Sequence, residues 1–219
     1  MREDLPAVLA TYLARAGASA LGRTGTLVHQ RGEIRLAPDK PWLPFSAEQT
    51  LEARKTGFVW HARVKMAPLV TGVVEDAFED GHGRLDAKIW GVIPVAHARG
   101  IDIDRGEAQR YVAELPWCPA AIAHNPELHF EPTDERTVRV WAGDDTAWVD
   151  LSFDAAGDIE LATSTTRKRD GVAQPWAGRF FDYRDFGGIR APSRAEVWWD
   201  PPQGRFTYFR AEVVSLQPR

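Results

Sequence analysis

Residues 58–66 read Phe, Val, Trp, His, Ala, Arg, Val, Lys, Met, an apolar–polar alternation with a period of two. In an extended strand successive side chains point to opposite faces. Phe58, Trp60, Ala62, Val64 and Met66 therefore share one face, and Val59, His61, Arg63 and Lys65 the other. Strand-like runs recur at 26–37, 42–52, 69–79, 84–95, 135–142, 146–153, 158–168, 176–184, 190–199 and 205–216. Between them lie turn residues such as Pro38-Asp39-Lys40-Pro41, Asp80-Gly81-His82-Gly83, Asp154-Ala155-Ala156-Gly157 and Pro201-Pro202-Gln203-Gly204. Connections this short join antiparallel neighbours. The pattern predicts a mainly β (α+β) chain with about eleven antiparallel strands. A sheet of that size must curl or close, so the expected form is a large curved sheet or half-barrel with a concave face to fill.

Two segments break the alternation. Leu5, Val8, Leu9, Tyr12 and Leu13 fall on one helical face, with Asp4 as a cap, Pro6 in the first turn and Gly17 as the stop. Farther on, Asp104-Arg105-Gly106-Glu107 has capping-box spacing. Ala108, Tyr111, Val112 and Leu115 continue it in helical register, Pro116 interrupts, and Pro119 opens a short helix through Ala123. The chain of 219 residues is expected to be a single domain over 1–219. Its parts are an N-terminal helix in 1–17, the sheet in 26–95 and 135–216, and a helical lid at 104–123.

The formal charge of −4 argues against nucleic-acid binding, which needs a basic face. The one basic run, Arg167-Lys168-Arg169, meets Asp170 at once and reads as a strand end. Cys118 is the sole cysteine, so no internal disulfide forms. No apolar stretch follows Met1-Arg2-Glu3-Asp4, and none nears the ~20 residues of a membrane span; the expected address is the cytoplasm. No nucleophile elbow, phosphate-binding loop or His-Glu-x-x-His motif is present. Asp102-Ile103-Asp104-Arg105-Gly106 fails as a calcium loop, because its glycine comes one position early and the later Glu is missing. The six histidines are scattered. No metal and no cofactor is predicted.

Several stretches carry a resemblance. They are Trp42-Leu43-Pro44-Phe45-Ser46-Ala47-Glu48-Gln49, Gly57-Phe58-Val59-Trp60, Gly106-Glu107 with Arg110-Tyr111-Val112-Ala113-Glu114, Trp117-Cys118-Pro119-Ala120-Ala121, Pro175-Trp176, Asp182-Tyr183-Arg184 and Arg190-Ala191-Pro192. In this order they resemble a bacterial family of uncharacterised proteins, a domain of unknown function, over nearly the whole chain. The resemblance implies a curved antiparallel sheet with a helical lid, similar in layout to bacterial lipoprotein carriers, which hold acyl chains in an open barrel. Thr50 stands where the family has an aromatic residue and Cys118 where it has Phe. If those positions line a cavity, its size differs from that of the relatives.

The expected function is binding of a hydrophobic or bulky small molecule, lipid-like or aromatic, between sheet and lid. Such a cavity should measure several hundred Å³ and hold few charges. The candidate ligand-binding residues are Glu48, Trp60, Arg63, Arg110, Trp117, Cys118, Trp176 and Tyr183. Glu48 lies in an apolar strand, where burial would raise its pKa unless a cation such as Arg63 stands opposite. Arg110 shares a helical stripe with Glu107 and Glu114, either solvated or turned under the lid toward a ligand. Tyr183 offers a hydroxyl. Cys118 reads as a buried hydrophobe, and the nine tryptophans as filling or pocket wall. Adjacent Trp198 and Trp199 must face opposite sides, which hints at an exposed apolar spot. A metal-independent acid–base enzyme (isomerase, cyclase or hydrolase) is the alternative, with Glu48 as base and Tyr183 as proton donor. A structural or regulatory interaction protein is the third reading. Binding is favoured over both.

Overall fold

The computed structural model describes residues 5–17 and 24–219. The elements in chain order are α1 (Ala7–Ala16), β1 (Gly25–Ile34), β2 (Leu43–Glu52), β3 (Phe58–Ala67), β4 (Val70–Glu79), β5 (His82–Ile89) and β6 (Ile93–Ala98). Next come α2 (Ile101–Ala113), a 3-10 turn (Leu115–Trp117) and α3 (Pro119–His124). The chain continues with β7 (Leu128–Asp134), β8 (Thr137–Ala142), β9 (Val149–Phe153), β10 (Ile159–Ser164), β11 (Lys168–Arg169) and β12 (Val172–Ala173), and ends with β13 (Trp176–Asp185), β14 (Arg190–Trp199) and β15 (Phe206–Pro218).

Among the described residues thirteen strands form one sheet in the order β6-β5-β4-β3-β2-β1-β15-β14-β13-β10-β9-β8-β7, and β11 and β12 make a separate ribbon. Each half of the chain is a meander. The two halves join where β1 pairs antiparallel with β15, Thr26 opposite Pro218 and Ile34 opposite Phe209. Among the described residues the sheet is not closed, and β6 and β7 are its edges.

Helix α2 packs against β4 and β5 near one edge and against β8 and β9 near the other. Strands so far apart in the sheet reach one helix only if the sheet wraps around it. The helices therefore occupy the hollow. β-Bulges, among them those at His29/Gln30 and Val197/Trp198, add local bending of the kind a curled sheet needs. In the core Leu9, Tyr12 and Leu13 of α1, Tyr111 and Val112 of α2 and Ile122 of α3 are all buried against the inner strand faces.

Several expectations need correction. The sheet has thirteen strands rather than about eleven. The segment 84–95 is not one strand, because Trp90 and Gly91 take left-handed φ of 52° and 75° and turn the chain into β6. β7 contains Pro132 and acidic residues, which disguise it; proline is tolerated there because the strand is an edge. Asp104 and Glu107 do not form a capping box. Helix α2 starts at Ile101 after Gly100, and Asp104 instead accepts the Gly83 amide at 2.7 Å, tying the helix to the start of β5. For α1, Gly17 ends the helix with φ of 95°, while the expected Asp4 cap lies outside the described residues.

Candidate functional site

Helix α2 does not fill the hollow completely. A cavity of about 260 Å³ remains between its Arg110–Glu114 turn and the sheet. Its apolar wall comes from Ile34, Trp60, Val64, Val74, Leu85, Trp176, Val197, Tyr208 and Phe209, and its polar wall from Asp76, Arg110, Glu114 and Arg167. The cavity is smaller and more highly charged than the sequence suggested.

Strand phase explains the wall. Trp60, Asp76 and Leu85 are cross-strand partners on β3, β4 and β5, so they share the inner face. Arg110 is the hub of the polar part. It donates to Asp76 and, through Nε at 3.0 Å, to Glu114 Oε1. Its guanidinium lies 4.7 Å above the Phe58 ring and 5.2 Å above Trp60. The other Glu114 oxygen accepts from Gln49. Gln49 in turn accepts from Gln30 at 3.4 Å, and Gln30 accepts from Trp60 Nε1 at 3.2 Å. Burial works against the Arg110 charge, but Glu114, Asp76 and Glu107 outweigh it and hold the guanidinium protonated more firmly than usual.

Three buried polar atoms in this neighbourhood have no hydrogen-bond partner among the described residues: Asp76 Oδ1, Glu107 Oε2 and Arg167 Nη1. Arg167 stacks on Trp176 at 4.8 Å, and Trp176 Nε1 donates to the Tyr208 hydroxyl at 3.0 Å. Burial and the nearby Asp76 charge push the Glu107 carboxyl up to about 8, against the pull of Arg167 and Arg110. Glu107 is thus mainly protonated near neutral pH. The cluster then pairs two carboxylates, Asp76 and Glu114, with two guanidiniums, Arg110 and Arg167, and has no net formal charge.

The eight residues singled out from sequence divide. Trp60, Arg110 and Trp176 meet at the cavity. Glu48 does not face it: the side chain sits on the outer face and pairs with His29 at 3.1 Å. Arg63 is exposed on the same outer face, opposite Ser46, so the expected Glu48–Arg63 pairing is replaced by Glu48–His29. The residue in phase with Phe45, Ala47 and Leu51 is Gln49, which is fully buried. Trp117 lies deep in the core, donating to Pro192 O at 3.0 Å and meeting Phe180 edge-on. Cys118 is buried there too, its thiol pushed by burial up to about 11. Tyr183 donates to Ile159 O at 2.8 Å beneath α1, and burial raises its pKa well above the ordinary value. Glu48 and Tyr183 are therefore not assembled into an acid–base pair. Thr50 is on the outer face and Cys118 in the closed core, so neither difference from the family lines the cavity.

Trp198 and Trp199 do face opposite sides, but both are buried. Trp199 is in the core, and the Arg205 guanidinium lies 4.5 Å above Trp198 on the outer face. Other tryptophans also stay out of the hollow. Trp148 lies under Arg139 at 3.8 Å and Trp141 stacks on His129 at 5.4 Å.

Asp76 is not singled out by the sequence motifs, Glu107 is read there as a cap and a member of the Arg110 stripe, and Arg167 as a strand end. Asp76 is in phase with Val74 and Phe78, and Glu107 with Tyr111 and Glu114. Phase alone therefore marks both as inward-facing. Among the described residues no three His, Cys, Asp or Glu side chains are grouped as a metal site, and no helix is long and apolar enough to cross a membrane.

The chain belongs to a family of unknown function (DUF6544), whose model matches residues 1–211. No curated protein matches it. Among solved structures, a LolA superfamily protein from Nitrosomonas europaea is 12% identical, with 96% of this chain and 93% of that chain covered at a TM-score of 0.53. A putative outer membrane lipoprotein-sorting protein domain from Vibrio parahaemolyticus is 9% identical, with 96% and 91% covered at a TM-score of 0.54. The chain thus has a LolA-like fold: a large open antiparallel sheet with helices in its hollow.

Proposed function

We propose that this DUF6544 protein binds a small amphiphilic molecule in the cavity under α2. The apolar part would lie against Trp60, Trp176, Tyr208 and Phe209, and a hydrogen-bonding head would meet Asp76 and Arg167. One observation carries this reading: two partnerless buried polar atoms, Asp76 Oδ1 and Arg167 Nη1, belong to residues that line a single apolar hollow. Each costs roughly 1–3 kcal/mol when left unsatisfied, and a head group that both donates and accepts would recover much of that cost.

The balanced charge favours a neutral head, such as an alcohol, an amide or a protonated acid. A free carboxylate would gain Arg167 but crowd Asp76 and Glu114. The volume, about 260 Å³, is slightly below the ~300–1,000 Å³ of ordinary ligand pockets. It fits a short molecule or one end of a longer chain. The lipoprotein-sorting name of the similarly folded Vibrio domain supports a lipid-like cargo.

Native mass spectrometry of protein purified without detergent should show a co-purified apolar molecule. Calorimetric titration with a fatty alcohol, a fatty amide and a fatty acid of equal chain length should rank the neutral heads first. Arg167→Gln should weaken all three about tenfold, the equivalent of one charge-assisted hydrogen bond at ~1.4 kcal/mol. No bound species together with no titratable probe would dismiss the reading.

A further inference from the structure

The end of the sheet beyond the cavity exposes an unusual amount of apolar surface. The β3–β4 turn carries Leu69, 94% exposed, and the β5–β6 turn carries Trp90 and Val92, 57% and 74% exposed. Met66, Ile93 and Val95 are exposed beside them. The two turns are fixed to each other: Trp90 donates its indole Nε1 to Leu69 O at 2.9 Å and its amide to Thr71 O at 2.8 Å.

Apart from the Trp90 indole hydrogen bond, folding does not account for the apolar surface these side chains leave in water. Leu69 and Trp90 have φ of 64° and 52°, the left-handed region that large side chains avoid and Gly or Asn accept. Both sit where the backbone disfavours them and where water surrounds them.

The charge around them is one-sided. Residues 62–74 and 87–98 contain Arg63, Lys65 and Lys88 and no Asp or Glu, in a chain with a net charge of −4. All three cations are exposed. The patch is also continuous with the cavity. Inner-face partners run from Trp60, Asp76 and Leu85 at the cavity, through Ala62, Val74 and Ala87, to Val64, Gly72 and Ile89 beside the tip. Beyond Asp76 this track has no charged or polar side chain.

We propose that this end of the sheet docks at an anionic lipid surface. Trp90 and its neighbours enter the headgroup region, where tryptophan is favoured, while Lys65, Lys88 and Arg63 meet the lipid phosphates. A second copy of this chain fits less well. Sheet extension along β6 is obstructed by Pro94, which lacks an amide donor, and by the bulge at Ala87/Lys88. The docking stands independently of the cavity reading. The apolar track, which would let a ligand pass between bilayer and cavity, rests on it.

Flotation with vesicles of phosphatidylcholine, alone or mixed with phosphatidylglycerol, tests the docking. The protein should float with the mixed vesicles, and less so as salt is raised. The double variant Leu69→Asn/Trp90→Asn relieves both left-handed positions, so it should fold with an unchanged circular dichroism spectrum, and its partitioning should fall at least about tenfold. Lys65→Gln/Lys88→Gln should abolish the preference for the anionic vesicles. The proposal is overturned if the native protein stays out of both vesicle types, or if the Asn variant floats as well as the native protein. A concentration-dependent dimer in sedimentation that the Asn variant abolishes would also overturn it. Arg167→Gln should leave flotation unchanged, which separates this test from that of the cavity.

Discussion

Replacing Glu107 by Gln tests whether the carboxyl under α2 is held protonated. Burial and the Asp76 charge carry it from the ordinary 4.5 up to about 8 in the folded protein. Between those pH values the folded chain keeps a proton that the unfolded chain has released. Stability must then fall as pH rises, by about 1.36 kcal/mol per pH unit for one group. The contribution is whole below pH 4.5, declines through neutrality and is exhausted above about 8. The full drop is on the order of 5 kcal/mol, an upper figure, because water drawn into the cavity would relax it. The amide introduced by Glu107→Gln has the same shape as the carboxyl and no charge to gain. The variant should match the native protein near pH 5 and exceed it by several kcal/mol at pH 8.5, a rise of roughly 10 °C or more in Tm for a chain of this length. Urea unfolding of both proteins at intervals from pH 5 to 8.5 provides the comparison. Two stability curves that stay parallel across that range would show that Glu107 ionises freely and would refute the reasoning.

Other perturbations follow from the same packing. Asp158 bridges Arg15 of α1, at 3.1 Å through Nε, and Arg190 of β14. Burial opposes its charge, but the two guanidiniums prevail and lower its pKa below the usual 3.8. Its share of stability is therefore present above that value and lost as pH falls below it. Asp158→Asn should cost about 2–3 kcal/mol in urea unfolding at pH 7, less than a fully buried pair, because both arginines remain about a third exposed and can turn to water. Arg110→Lys should cost a similar ~2–3 kcal/mol, since an ammonium cannot serve Asp76 and Glu114 while stacking on Phe58 and Trp60. The Cys118 thiol, fully buried and raised from 9.0 to about 11, should react with an aromatic disulfide reagent at pH 8 at least ~100-fold more slowly in the folded than in the urea-unfolded chain. Equal rates would mean that α3 opens readily.

The alternation in β2, β3 and β13–β15 makes the architecture legible, because a half-buried strand cannot hide its phase. The curl follows from strand number, and the place of the helices from the hollow that curl leaves. What stays hidden in the sequence is register-dependent. Trp90 reads as a strand residue because Ile89 and Ile93 continue an apolar run through it, and only the left-handed φ at Trp90 and Gly91 reveals the turn. Glu48 and Gln49 are adjacent and both polar. Charge favours Glu48 as the functional residue, but phase with Ala47 and Leu51 puts Gln49 inside and Glu48 against His29. Asp76 and Glu107 stand in plain view on inward-facing positions. An inward carboxylate suggests nothing until Arg110 and Arg167 are seen beside it, and those cations come from the helix after the first meander and from a loop far along the chain.

The charged cluster and the cavity have one physical origin. A sheet that wraps a helix from β4 to β9 leaves most space where the helix side chains are held away from the strands. Arg110 holds that gap open. Its guanidinium lies across Phe58 and Trp60 and is fixed by Asp76 from the sheet and by Glu114 at the helix end, so α2 cannot settle onto β3 without breaking buried ion pairs. An apolar residue at 110 would allow closer approach, and the hollow would shrink toward a filled core. The unsatisfied oxygen of Asp76 is then a consequence of the same arrangement: a carboxylate recruited to brace Arg110 turns one oxygen to the bracing contact and leaves the other facing the space. On this argument Arg110→Leu should be more stable than Arg110→Lys if Asp76 and Glu114 are replaced with Asn and Gln in the same chain, because the charges are then removed together, and that stabilised chain should lose the ligand probes altogether. Retained probe binding in a closed, stabilised variant would show that the space does not depend on the Arg110 brace.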